Sequence, residues 1–503
     1  MDLPKIEICQ KGNKEGLEVK ARWPERKLPK SYELNNPNFQ AWGYLVDYDK
    51  VGFGKSVELL VSERGKELMT SSNDFLLVVF DKTNNEVKIA SSVSAKFPLF
   101  FAIEDGKMHL TPDFGSLFRS LKKVGLNEDG VRDYLLTEYV VSLTDDTFVK
   151  QIRRLPPGCV LTIKKDLSWK IEEEFKWVDY LAESDKAPMK PDEFTEAMIE
   201  TLKRVIQKRL SVVSEISANC ELSSGFDCDL VAYLLKKEGA SFKGFSYYTS
   251  LNNHDTDIDL VKKFSEKHGI EVDCLDLTDL VFFSSDEELE WNVQNLFPGT
   301  HSLSMYLKME KYRRQMLGGD FVTFTGNGGD EFYHSRDVVG EVDNGWKGLF
   351  ELAGTNLEFG ARNYLTKKVV EIMVDSNSWG LRKYYDNTIG GAAGHQTYFS
   401  MHWHFGEWSV DPFDDIEMIK LASRIPLDES GEPMHKQEIF KSRTDIFLPE
   451  QFRVKLPYHE QAVRYLDISS GKIDKILENS IFGKLGWIKV DDIREAIKEG
   501  RLR

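Results

Sequence analysis

The rhythm of hydrophobic and polar positions changes partway along the chain. Up to about residue 175, apolar residues fall in short runs or in alternation, the mark of strands. Phe75-Leu-Leu-Val-Val-Phe80 is an apolar run that stops at Asn84-Asn85, and Glu86-Val-Lys-Ile-Ala90 then alternates, which predicts a hairpin. Pro98-Leu-Phe-Phe-Ala102, the turn Glu104-Asp-Gly106 and Met108-His-Leu110 predict another. Leu155-Pro-Pro-Gly158 reads as a turn feeding a strand at Cys159-Val-Leu-Thr-Ile163, and short helices are expected near 114–123 and 128–138. The polar stretch from about 178 to 192, with Pro188 and Pro191, reads as a linker.

Beyond it the period becomes helical. Met198, Ile199, Leu202, Val205, Ile206 and Leu210 share one face of a helix over Phe194–Val213. Strand and helix then alternate: a helix at Asp229–Lys237, a strand at Phe242–Tyr248, a helix at Asp257–Lys267, and strands at Glu271–Leu277 and Phe321–Thr325. That alternation predicts a parallel sheet. Ligands bind such sheets at the carboxyl ends of the strands, so the loops just after the strands are the ones to read for chemistry.

Composition narrows the partners. With 503 residues the chain is long enough for two to four domains. The 82 acidic against 66 basic residues give a net charge of −16, which argues against a protein built to grip nucleic acid. The basic end Lys498-Glu-Gly-Arg-Leu-Arg503 reads as a solvated tail. The five cysteines, at 9, 159, 220, 228 and 274, are too few and scattered for a disulfide framework or a CxxC zinc site. The N-terminus lacks the pattern of a secretory signal, and no apolar stretch approaches a membrane span. A cytoplasmic location, with no membrane partner, is expected.

Two strand-end loops carry candidate chemistry. In Leu222-Ser-Ser-Gly-Phe-Asp-Cys-Asp229, small residues let the backbone approach a ligand, and the following helix turns its free N–H groups toward it, which makes an anion cradle. Bare phosphate would repel Asp227, whereas Mg²⁺ between the two would reconcile them. The same residues also fit an ordinary βα turn capped by Asp. In Thr325-Gly-Asn-Gly-Gly-Asp-Glu331, glycines again follow a strand, and Asp330 and Glu331 follow the glycines. Together the two loops suit one Mg²⁺–triphosphate site.

These residues resemble the asparagine synthetase superfamily of ATP pyrophosphatases. Its phosphate loop SGGxDS is matched by Ser223-Ser-Gly-Phe-Asp-Cys228, its GxGxDE loop by Gly326-Asn-Gly-Gly-Asp-Glu331, and its PFxD segment by Pro412-Phe-Asp-Asp415. Arg453-Val-Lys-Leu-Pro457 stands where a basic stretch ends in the family's catalytic Lys, here Lys455. The resemblance implies an α/β protein: an N-terminal Ntn-hydrolase-like αββα domain over 1–178, followed by an α/β parallel-sheet ATP-pyrophosphatase (PP-loop) domain over 190–503. It implies a carboxylate substrate, small molecule or peptide, that attacks ATP to give an acyl-adenylate and pyrophosphate. Ammonia or another amine then forms the amide. ATP and pyrophosphate would lie on Leu222, Ser223, Ser224, Gly225, Phe226, Asp227, Cys228, Gly326, Gly328 and Gly329. Asp227 and Asp330 would hold Mg²⁺, and Lys455 would offset developing negative charge. The size leaves room for a homo-oligomer.

Departures from the family pattern refine this. Glutamine-hydrolysing members carry Cys directly after the initiator Met, whereas position 2 here is Asp2 and Cys9 is internal. No glutaminase activity is therefore expected, and the N-terminal domain would brace the synthetase domain. Asn327 replaces the Glu that asparagine synthetases place near the attacking amine, and a neutral amide is no general base. The family Glu four residues before the Pro is Trp408 here, so Glu407 could serve only through a one-residue slip. A cyclase-type ligase, as in lasso-peptide and β-lactam synthesis, and a non-catalytic nucleotide-binding regulator are the alternatives. His402 and His404 would share a face on a strand and could bind metal, but with no third ligand evident they suit an aromatic wall. Gly390-Gly-Ala-Ala-Gly394 fits a loop over a pocket or close helix packing.

Overall fold

A computed structural model of the chain describes residues 3–11, 16–62, 64–94, 96–128, 130, 145–176, 180, 187–248, 256–280, 291, 303–329, 332–333, 392–431, 433–452 and parts of 471–498. The expected helix at 128–138, the glycines at 390–391, Asp330, Glu331 and Lys455 lie outside these residues, wholly or nearly so.

The N-terminal half contains β1 (Lys5–Gln10), β2 (Leu17–Arg22), β3 (Lys30–Asn35), β4 (Phe39–Val46), α1 (Phe53–Val61), α2 (Gly65–Met69), β5 (Asp74–Asp81), β6 (Glu86–Ser91), β7 (Phe100–Glu104), β8 (Lys107–Thr111), α3 (Phe114–Ser120), β9 (Arg153–Arg154), β10 (Cys159–Ile163) and β11 (Trp169–Glu173). They form two antiparallel sheets, β2-β1-β8-β7-β9 and β11-β10-β6-β5-β4-β3. Leu76, Val78, Val87 and Ile89 of one sheet share a core with Ile6, Ile8, Met108 and Leu110 of the other. Phe75, Leu77 and Val79 point the opposite way, against Phe53, Val57 and Leu60 of α1. Both faces of β5 are covered, which is why its sequence is a continuous apolar run rather than an alternation. Helix α3 covers the outer face of the other sheet through Phe114 and Leu117. The layers are thus helix, sheet, sheet, helix. The β5–β6 turn is held by the Asp81 carboxylate, which accepts from the amides of Thr83 (2.8 Å) and Asn84 (3.0 Å), while Asn85 adopts φ +52°.

The C-terminal half contains α4 (Pro191–Val213), β12 (Ser217–Glu221), α5 (Phe226–Lys237), β13 (Lys243–Tyr248), α6 (Thr256–His268), β14 (Val272–Asp276), α7 (Leu303–Leu317), β15 (Phe321–Phe324), α8 (Ala392–Phe405), β16 (Glu407–Val410), a 3₁₀ turn at Pro412–Asp414, α9 (Ile416–Ala422), α10 (Lys436–Ile439) and α11 (Val490–Lys498). Its five strands pair in parallel in the order β14-β13-β12-β15-β16. The chain winds outward from β12 in one direction and returns to β15 on its other side. The switch point therefore falls between β12 and β15, where the two candidate loops emerge. Helix α4 starts three residues earlier than the apolar pattern indicates because Pro191 suits the first helical turn. The segment of His402 and His404 is helix rather than strand, so the two rings do not share a face.

The two halves meet across a continuous aromatic core. Tyr44 lies 5.2 Å from Trp403, and Phe97 lies 5.8 Å from Phe399 and 5.2 Å from Trp408, centroid to centroid. Arg209 of α4 crosses the seam: its guanidinium covers the Tyr48 ring at 3.6 Å, donates to the Ser72 carbonyl (2.9 Å) and pairs with Asp415 (2.9 Å). Both partners of that ion pair are buried, so removing one strands the other. Arg209→Gln should lower stability by about 3–5 kcal/mol, read as a fall in the urea midpoint.

Candidate active site

Strand β12 runs into Leu222-Ser-Ser-Gly225, and Gly225 caps α5, whose first turn holds Asp227. Helix α5 begins at Phe226, earlier than the expected Asp229. The loop bends at Ser224, which is buried with φ +55°, a left-handed conformation at the position where the family pattern has glycine. Its carbonyl accepts from the buried Gln451 amide (3.0 Å), which also donates to Asp229 (2.7 Å). The Phe226 side chain points away into a cluster with Phe440, Phe447 and Phe452, at centroid distances of 5.6, 4.8 and 5.3 Å. Phe226 thus anchors the helix start, while its backbone N–H belongs to the open first turn.

The second loop follows β15 and lies directly on the first. A Cβ built on Gly326 would stand 2.6 Å from the Cys228 amide nitrogen. One on Gly329 would stand 2.5 Å from the Asp227 carboxyl carbon, and one on Gly328, at φ +82°, 2.1 Å from Asp414 Oδ1. Only glycine fits any of these positions. The loops at 222–228 and 326–329 therefore converge, and the carboxylates of Asp227 and Asp414 both abut the glycine loop. Hard oxygen donors beside a helix N-terminus are the donor chemistry that Mg²⁺ takes. The Cys228 thiol is pushed up to about 12 by burial and by Glu221, so it stays protonated.

Lys436 of α10 was not legible in the sequence. Its ammonium pairs with Asp227 at 2.7 Å and supplies positive charge at the cradle. The only local signal was a helix start at His435, whose Nδ1 accepts from the Gln437 amide.

Asn327 sits at the tip of the glycine loop. Its amide N–H donates to Thr325 Oγ1 (3.0 Å), and its side chain donates to Asp411 (3.4 Å). Asp411 is a second residue that sequence reasoning missed. It follows β16 directly, and it also accepts from the hydroxyls of Thr325 and Ser409. Glu407 lies at the opposite end of β16, in register with Phe321 and hence with Ser217. Four residues of strand, roughly 13 Å, separate it from Asp411. The structure does not bring Glu407 to the two loops.

Glu407 belongs instead to a buried cluster. Arg313 of α7 donates to Glu407 (3.2 Å), to Glu310 (3.1 Å) and to Glu221, one residue before the first loop. His402 Nδ1 lies 2.6 Å from Glu407 and 3.4 Å from Glu310. Glu310, His402 and Glu407 offer three ligand atoms within 4.8 Å of one another. Arg313 supplies a cation to the same carboxylates. His404 packs against the Trp291 ring (5.3 Å), as an aromatic-wall residue does.

Burial opposes charge on His402, but Glu407 and Glu310 raise its pKa to about 10; burial and Glu407 raise that of Glu310 to about 8. Both groups bind their proton more tightly in the folded chain. The stability they contribute is therefore whole at low pH and is lost as pH rises, from 4.5 to about 8 for Glu310 and from 6.5 to about 10 for His402. Melting temperature should decline across that range, and Glu310→Gln should flatten its lower part. Separately, Gly326→Ala should weaken Mg²⁺·ATP binding at least tenfold in a titration while leaving the far-ultraviolet circular dichroism unchanged.

Comparison with known proteins agrees with this arrangement. The family described as "Glutamine amidotransferase domain" matches residues 57–174, and the family described as "Asparagine synthase" matches residues 197–392. No curated protein matches the chain. Among solved structures, glutamine phosphoribosylpyrophosphate amidotransferase from B. subtilis is 11% identical over 66% of this chain and 71% of its own, with a TM-score of 0.21. An allosteric regulatory enzyme of purine biosynthesis is 9% identical over 64% and 83%, with a TM-score of 0.22. NMN synthetase from Francisella tularensis is 16% identical over 44% and 99%, with a TM-score of 0.21. Likenesses at such TM-scores carry no argument, and the two family matches are what decide. The chain, an amidotransferase-type layered half joined to a synthetase half, belongs to the asparagine synthetase superfamily of ATP-dependent enzymes and is a carbon–nitrogen ligase.

Proposed function

We propose that the protein joins a carboxylate to an amine through an acyl-adenylate, consuming ATP and releasing AMP and pyrophosphate, with residues 190–503 as the catalytic domain. The observation that carries this reading is the contact between the loops at 222–228 and 326–329 at the sheet's switch point. A carboxylate is a poor electrophile, and adenylation gives it a good leaving group. Negative charge then grows on the departing pyrophosphate. The amides of the α5 first turn and the ammonium of Lys436 are cationic or dipolar groups suited to offset it. Lys455 is assigned the same role on the α-phosphate or the tetrahedral intermediate. Mg²⁺, held by Asp227 and Asp330, would neutralise further phosphate charge.

The N-terminal domain, residues 1–178, makes no ammonia of its own on this reading. Cys9 lies inside β1, paired with Glu18 on one side and Lys107 on the other, so its nitrogen is a peptide amide rather than an amine. Burial and the Glu18 carboxylate raise its thiol pKa, the opposite of activation. None of the five cysteines is in a disulfide, and no described helix is long and apolar enough to cross a membrane. Both facts are compatible with work in a reducing cytoplasm.

A second reading, an intramolecular ligase of the cyclase type, is favoured by Asn327. It is held by Asp411 as a neutral hydrogen-bonding group rather than a base, which suits an amine that arrives already oriented. ATP–pyrophosphate exchange tests the reading. Exchange with aspartate supports asparagine synthesis, exchange only with another acid or a peptide supports the cyclase version, and no exchange with any carboxylate defeats both. Asp330→Ala should abolish exchange with an unchanged melting curve. Purified protein should release no glutamate from glutamine.

A further inference from the structure

One charged side chain of the N-terminal half reaches the glycine loop's support. Lys96, 6% exposed, lies between β6 and β7. Its ammonium is 3.0 Å from Asp411 Oδ2 and 3.5 Å from Asp74 Oδ2, and it donates to the Ser409 carbonyl at 2.8 Å. Asp411, with no exposed side-chain surface, turns its other contacts toward Thr325, Ser409 and Asn327. Thr325 and Asn327 bracket Gly326, the residue that touches the Cys228 amide. The chain of contact is unbroken: Lys96, Asp411, Thr325 with Asn327, the glycine loop, the first turn of α5. Lys96, Asp411, Arg209 and Asp414 are among the residues lining a cavity of about 20 Å³, room for about one water.

We infer that Lys96 is a positioning residue for the nucleotide site. The N-terminal half supplies the buried cation that keeps Asp411 charged and in place, and Asp411 in turn fixes the loop at 325–329 against the phosphate loop. The inference rests on the ATP-binding reading of that site and deepens it. A buried carboxylate without its cation takes water, a proton or a new rotamer. Any of these frees Thr325 and Asn327, and with them a loop whose fit leaves no slack.

The test uses the full chain and the probe Mg²⁺·α,β-methylene-ATP, which cannot undergo the α–β cleavage, in a calorimetric titration. Lys96→Met should weaken binding at least tenfold, and Asp411→Asn should do about the same. The double variant should bind no more weakly than the weaker single variant, because both changes break one chain of contacts. It should also melt above Lys96→Met, in which Asp411 stays charged without its cation. Lys96→Arg should restore binding to within threefold of the unaltered protein. Binding at the unaltered level in Lys96→Met, losses that multiply in the double variant, or no rescue by Arg would each overturn the inference. Should either single variant fail to fold, the double variant decides: tight binding refutes the role and weak binding supports it. If the unaltered protein fails to bind the probe, the ligase reading itself falls, a result distinct from those above.

Discussion

Three positions without a Cβ set the terms for the rest of this molecule. Gly326, Gly328 and Gly329 lie so close to Cys228, Asp414 and Asp227 that an added methyl group would overlap each neighbour. Contact this tight fixes the separation of two strand ends. The parallel ladder that pairs Ser217 through Cys220 with Phe321 through Phe324 sets it from beneath. Gln451 and the aromatic cluster around Phe226 hold the first loop, while Asp411 holds the second. With both loops fixed, the first turn of α5 and the glycine loop hold one arrangement. Preorganisation of that kind is what electrostatic stabilisation of a leaving group needs.

Charge is handled by pairing within buried clusters, not by exposure to solvent. Glu221, Glu310 and Glu407 gather around Arg313 and His402 on one side of the sheet; Asp74 and Asp411 gather around Lys96, and Asp415 around Arg209, at the seam. Such clusters add little net stability over apolar packing, but they penalise every arrangement in which a partner is displaced. Here the penalised arrangements are those in which α7, β16 or the N-terminal half shifts relative to the loops. Burial raises the pKa of Glu221 despite Arg313, so even the residue just before the phosphate loop feels this packing.

Much of the fold was legible because it is written locally. The β5–β6 and β7–β8 hairpins, the face of α4 and the strand–helix alternation all follow from the spacing of apolar residues. The two glycine-bearing loops follow from residue type at strand ends. The strands before β5 left weaker traces. Those of β2 and β3 alternate with half-exposed polar residues, and their pairing is decided by the partner sheet. Asp411, Lys436 and Lys96 could not be found the same way. Lys436 is 209 residues from Asp227 and Lys96 is 315 from Asp411 in sequence, and nothing near any of them marks it as a ligand of the site. Glu407 shows the converse error. A motif offset of one residue suggested a place at the cleft, but strand direction puts it at the other end of β16, where Arg313 and His402 hold it.

The seam between the halves argues that they behave as one cooperative unit. A boundary that merely tethers two domains is polar and wet. This one buries Tyr44, Phe97, Trp403 and Trp408 in a single aromatic cluster; Lys96 crosses it to Asp411, and Arg209 crosses it the other way to the Ser72 carbonyl and the Tyr48 ring. Pulling the halves apart would expose those rings, leave Asp411 without Lys96 and take the Ser72 carbonyl from Arg209 at the same moment. The apolar cost and the electrostatic cost thus rise together. A loop supported from both halves has its full set of contacts only when they are packed, which ties the N-terminal layers to the geometry of the glycine loop.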